Sequence, residues 1–117
     1  MKKKYRITRN EEFQKIISTG KYKACNGFVV YYLPAQFDYD RIGISAGKKM
    51  GNAVERNKVK RQVRMMVHDI CDFEKGFDSI IIVRPKYHNY DFSANKNDLS
   101  RIYDLVYNKQ GLTSKGD

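Results

Sequence analysis

Asn52-Ala53-Val54-Glu55-Arg56-Asn57-Lys58-Val59-Lys60-Arg61-Gln62-Val63-Arg64-Met65-Met66-Val67-His68-Asp69-Ile70-Cys71 is the longest helical stretch in the chain. At about 100° per residue, Val59, Val63, Met66, Val67 and Ile70 gather in an arc roughly 100° wide, which is the width of a core-facing stripe. Asn52 is a good N-cap residue, and Glu55 can return its bond in the manner of a capping box. Such a stripe needs a partner surface. Ser79-Ile80-Ile81-Ile82-Val83, apolar without alternation, reads as a strand of a sheet covered on both faces.

Working outward, Asn10 to Thr19 places Phe13, Ile16 and Ile17 at helical spacing, with Thr8 or Asn10 to cap its start and Gly20 to end it. Gly27 to Leu33 is β-branched and aromatic and is stopped by Pro34. Residues Gln36 to Asp40 read as a turn, Arg41 to Ala46 as a second strand, and Tyr22 to Cys25 as a brief strand before both. Asn95 to Asn108 is a helix with Leu99, Ile102, Leu105 and Val106 on one stripe, and Lys109 to Asp117 reads as a frayed tail. The order is helix, two or three strands, helix, strand, helix. That is an α+β sandwich, and 117 residues fit one domain.

Charge narrows the function. Lys and Arg total 23 against 13 Asp and Glu, a net +10, and an excess of that size repels itself unless a polyanion answers it. Its placement is more telling than its size. Arg56, Lys60 and Arg64 stack at i, i+4, i+8 on one flank of the long helix, with Asn57 and Arg61 in a row beside them. Like charges at that spacing cost an isolated helix roughly 0.2–0.5 kcal/mol per pair. A solvated face would more often mix Glu with Lys, so the unmixed ridge points to phosphate, which the planar fork of arginine grips in two bonds. Gly47-Lys48-Lys49-Met50-Gly51 leads into the ridge as a flexible basic loop before a helix N-terminus, whose free N–H groups favour anions. Its glycine spacing is not that of a nucleotide-binding P-loop.

Other classes fall away. Cys25 and Cys71 lack any metal-ligand spacing and read as small apolar residues in a reducing compartment. The basic start Met1 to Arg6 is not followed by an apolar stretch, and no run of 18 apolar residues occurs, so a cytoplasmic protein that does not cross a membrane is expected. His68 and His88 read as helix-face and loop residues. Asp38, Asp40, Asp69, Asp72 and Glu74 fall in loops or near a helix end, and none pairs around a metal ion, so no catalytic residues and no metal ligands are assigned.

The run Lys48-Lys49-Met50-Gly51-Asn52-Ala53-Val54-Glu55-Arg56-Asn57, followed by Lys60-Arg61 and Arg64, resembles the signature of the bacterial ribonuclease P protein component. The flanking blocks agree, so the resemblance covers about residues 5 to 107. It implies an αβββαβα fold similar to a ribosomal-protein domain, with a left-handed crossover through the long helix where the general rule expects a right-handed one. It also implies a function: a non-catalytic protein subunit that binds the catalytic RNA of ribonuclease P and the 5′ leader of precursor tRNA. The holoenzyme then requires Mg²⁺, the protein itself holds no cofactor, and the subunit acts as a monomer in that holoenzyme, away from membranes. A ribosomal or general basic RNA-binding protein is the alternative.

Carried over residue by residue, Lys48, Lys49, Asn52, Arg56, Asn57, Lys60, Arg61 and Arg64 are the RNA contacts, and Phe13, Ile17 and Tyr31 line the leader cleft between first helix and sheet. This chain departs from the pattern in three places. Ile17 stands where relatives often carry a second aromatic, Gly47 replaces a common Ser, and Met65 replaces a frequent acid. Phe13 and Tyr31 read equally well as core residues, because stacking on a base (about 1–3 kcal/mol) and burial of an aromatic bring similar gains.

Overall fold

The apolar run at Ser79 lies in an inner strand of the sheet. The computed structural model of the chain describes residues 1–109, with Lys109 described by its backbone alone. Helix α1 (Asn10–Thr19) precedes strands β1 (Lys21–Ala24), β2 (Phe28–Pro34) and β3 (Arg41–Ala46); helix α2 (Ala53–Ile70), strand β4 (Phe77–Val83) and helix α3 (Phe92–Lys109) follow. The strand order is β1-β2-β4-β3. β2 pairs antiparallel with β1 and β4, whereas β3 pairs parallel with β4. The β3–β4 connection through α2 is the crossover for which the resemblance implies a left hand.

Alternation along β4 sends its side chains to two cores. Ile80 packs with Ile7 and Ile16 beneath α1, with Ile82 at the edge of that cluster. Ile81 and Val83 enter the larger core on the opposite face with Val59, Val63, Met66 and Val67 of α2 and Leu99, Ile102 and Val106 of α3. Continuous apolarity therefore did mean cover on both sides.

Several boundaries differ from expectation for identifiable reasons. α1 begins after Arg9, which makes no side-chain capping bond, so neither Thr8 nor Asn10 caps it. β4 starts two residues earlier than read, at Phe77, because Phe77 pairs with Pro34, which is itself the last residue of β2. α3 starts at Phe92 rather than Asn95, since Asp91 Oδ1 accepts the Ala94 N–H (2.8 Å) and serves as its cap. Leu105 points outward at 53% exposure, and Tyr103 and Tyr107 take the stripe in its place. On a helical wheel Leu105 lies beyond the arc centred between Leu99 and Val106, and the tyrosines bring more area to bury. Ile70 is only half-buried. Lys109 continues α3, and the remainder of the expected tail lies outside the described residues. Cys71 is buried and Cys25 half-buried, both as free thiols.

One acid expected in a loop is structural. Asp40 is 1% exposed. Its Oδ1 accepts the Phe77 N–H (2.8 Å) and its Oδ2 the Tyr107 hydroxyl (3.1 Å), which ties the β2–β3 connection to β4 and α3. Burial raises its pKa above the ordinary aspartate value despite those bonds. The folded chain thus holds this proton to higher pH than the unfolded chain does. Stability from this group falls as pH climbs from about 3.8 through the folded value. In Asp40→Asn the amide oxygen can still accept the Phe77 N–H and nothing titrates. Urea unfolding between about pH 4 and 7 should show Asp40→Asn gaining on the parent as pH rises; parallel profiles would contradict the assignment.

Candidate nucleic-acid interface

α2 is held at its start by the capping box expected from sequence. The Glu55 N–H donates to Asn52 Oδ1 and the Asn52 N–H to Glu55 Oε1, each at 2.9 Å. Gly51 makes this possible: its φ is +123°, and a Cβ there would meet the Glu55 carboxyl. The box uses the Asn52 and Glu55 N–H groups of this helix end and sets the Glu55 carboxylate beside it. Lys48 and Lys49, both exposed, bring positive charge to the same end.

Those lysines do not lie in a flexible loop. Lys48–Met50 is a 3-10 turn closed by the Met50 N–H on Gly47 O (2.9 Å) and anchored by the buried Met50 side chain. The His88 ring nitrogen Nε2 lies 3.1 Å from Met50 O and holds the turn from outside. The lone apolar residue Met50, set between Lys49 and Gly51, was the available signal.

Along α2, Asn52, Asn57 and Arg61 are exposed, whereas Arg56, Lys60 and Arg64 are half-buried. Among the described residues, every ion pair involves Arg41, His68, Lys75, Lys96 or Arg101, so the ridge cations are answered by none of the chain's own carboxylates. Arg56 Nε is shielded from solvent without an acceptor.

Lys60 and Arg64 also face a cleft of about 270 Å³ that Arg6, Thr8 and Phe13 line from the other side, with Ile42 and Ile44 of β3 completing it. Sequence could not show this meeting, because it depends on β3 lying at the sheet edge between α1 and α2. Arg6 pairs with Ile42 there in a parallel bridge, which brings the basic N-terminal segment to the same place.

Phe13, Ile17 and Tyr31 do share one face of the sheet, and all three are half-buried around the Ile7–Ile16–Ile80 cluster. Gly43 lets Phe13 approach: a Cβ there would lie 2.7 Å from its ring. Tyr22, which sequence reading passed over, pairs with Tyr31 across β1 and β2 (ring centroids 5.6 Å apart) and is 62% exposed. Period-two alternation in the short first strand was its signal. Core packing and an open aromatic surface coexist here.

α2 thus presents ridge cations with no carboxylate partner among the described residues, beside a cleft shared with Phe13 of α1. The sequence matches the ribonuclease P family over residues 1–106. The chain belongs to the ribonuclease P protein family. Relatives named ribonuclease P protein component include one from Mesoplasma florum, 43% identical over 104 residues that make up 87% of this chain and 94% of the relative. Another, from Streptococcus equi subsp. equi, is 40% identical across 91% of this chain and 89% of its own length. Among solved structures, a mutant ribonuclease P protein from Staphylococcus aureus superposes with a TM-score of 0.81 at 35% identity, covering 89% of each chain. The ribonuclease P protein from Thermotoga maritima gives 0.71 at 33% identity, with 80% of this chain and 90% of that one covered. Membership makes the chain the protein component of an endoribonuclease with an RNA partner, and the role in maturing tRNA 5′ ends follows from the family. A ribosomal or general RNA-binding role is not favoured. No helix among the described residues is long and apolar enough to cross a membrane.

Proposed function

We propose that α2 binds the RNA subunit of ribonuclease P through Lys48, Lys49, Arg56, Asn57, Lys60, Arg61 and Arg64, with Asn52 contributing its free amide nitrogen. The observation that carries this reading is the absence of intramolecular partners for the ridge cations among the described residues. The 5′ leader of precursor tRNA lies on the sheet face of Phe13, Ile17 and Tyr31, close to Lys60 and Arg64 through their shared cleft. One protein thereby grips both RNAs and screens the repulsion between their phosphates.

Hydrolysis in this reading belongs to Mg²⁺ ions held by the RNA, and the protein supplies no catalytic residue. Among the described residues no three His, Cys, Asp or Glu side chains cluster as metal ligands would. Asp40 is committed to Phe77 and Tyr107, and Asp69 is held by Lys96 (2.8 Å). The subunit acts as a monomer in the holoenzyme, in the cytoplasm. Purified protein should leave precursor tRNA intact without the RNA subunit; cleavage by protein alone would overturn the reading.

A leader-binding test follows. The reconstituted complex should bind precursor tRNA with a single-stranded leader more tightly than mature tRNA. Tyr31→Ala should shrink that preference by roughly five- to a hundredfold, the range for losing one stacking platform. An unchanged preference would return Tyr31 to the core.

A further inference from the structure

The basic surface of α2 does not end at the ridge. Lys58, exposed and with no ion pair, carries it round the helix to the flank that faces α3. There a pocket of about 310 Å³ opens between α2 and the segment that leads into α3. Tyr87, Tyr90 and Phe92 line it from the α3 side, and Lys58 and Gln62 from α2. Tyr90 and Phe92 are 41% and 37% exposed at this wall.

The pocket is built rather than incidental. Asn95, fully buried, donates from Nδ2 to the carbonyls of Tyr87 (3.0 Å) and Tyr90 (3.3 Å) and fixes the aromatic wall. The Tyr87 hydroxyl donates to Gln62 Oε1 (2.7 Å), which sets the orientation of that amide and leaves its NH₂ to donate to a ligand. Burial pushes the Tyr87 phenol up to about 12, so it stays a donor. Glu55, the one acid lining the pocket, is engaged in the helix cap.

We propose that this pocket takes a single unpaired nucleobase of an RNA strand lying along α2, stacked against Tyr90 and Phe92, hydrogen-bonded at its edge by Gln62 and held at its phosphate by Lys58. The volume sits at the small end of ligand sites, roughly 300–1,000 Å³, and suits one base rather than a peptide helix. Rings that stack, one fixed amide donor and a neighbouring cation are the set by which proteins hold splayed-out RNA bases. The inference rests on the reading of the ridge as an RNA surface and adds a site on its far flank.

The chain has no tryptophan, so Phe92→Trp installs a lone indole reporter. The full chain and its Phe92→Ala, Tyr90→Ala and Phe92→Trp variants are titrated with a transcribed bacterial ribonuclease P RNA. Precursor tRNA is then added to the preformed complexes. Each alanine variant should lose roughly five- to a hundredfold in affinity with an unchanged salt slope. The emission of Phe92→Trp should be quenched on binding. Quenching by the RNA subunit alone assigns the base to that RNA, and quenching only after precursor tRNA assigns it to the substrate. Parental affinity in both alanine variants, with no quenching by either RNA, overturns the pocket. If Lys60→Ala still weakens binding in the same titration, the ridge stands without it. Circular dichroism matching the parent's shows that a weakened variant is folded.

Discussion

Replacing Lys60, Arg61 and Arg64 together by alanine is expected to cut RNA-subunit affinity and flatten its salt dependence more than any other change on this surface. Each phosphate contact contributes roughly 0.7–0.9 to the slope of log K against log salt. Loss of three contacts should therefore lower that slope by roughly 2–3. The helix should survive, since Arg61 is exposed, Lys60 and Arg64 are half-buried, and the stripe of Val59, Val63, Met66 and Val67 is untouched. Relief of like-charge repulsion at i, i+4 would if anything add a few tenths of a kcal/mol to its stability. Filter binding across a salt series measures the slope. An unaltered slope would remove these three cations from the interface.

Arg41→Ala should produce the largest loss of stability, about 3 kcal/mol in urea unfolding. The guanidinium donates from Nε and Nη2 to the two oxygens of Asp78 (3.0 and 2.7 Å) and from Nη1 to Glu12 (3.0 Å). These carboxylates hold its pKa above the ordinary arginine value, with the Asp78 bonds the largest cause. Asp78 is buried, so truncating Arg41 strands a carboxylate in the core and releases α1 from the sheet edge. The double change Arg41→Met with Asp78→Leu should recover most of the loss, because the cost lies in the unpaired charge. A loss below about 1 kcal/mol in Arg41→Ala would reduce the network to a surface ion pair.

What sequence could show, and what it could not, divides by distance along the chain. The α2 stripe, its capping box and the ridge arise from residues three or four apart, and periodicity reports them directly. β4 was legible because an apolar run without alternation has few other meanings. The Arg41–Asp78 and Asp40–Phe77 bonds span 37 residues and Asp40–Tyr107 spans 67, so nothing local announces them. The same holds for the cleft where Phe13 meets Lys60 and Arg64, which exists only once β3 is set at the sheet edge. The 3-10 turn at Lys48 looked flexible because glycines flank it, yet a single buried methionine orders it. Family resemblance supplied the candidate residues; geometry then added Tyr22, the shared cleft and the pocket at Tyr90 and Phe92.

The central claim is that this protein assists an RNA catalyst by presenting unpaired cations to it. The most direct test is cleavage of precursor tRNA by a bacterial ribonuclease P RNA at low Mg²⁺, alone, with the protein, and with the Lys60, Arg61 and Arg64 triple-alanine variant. The account predicts cleavage with the protein, little with RNA alone, and little with the variant. Equal cleavage with protein and variant, or cleavage by protein without RNA, would contradict it.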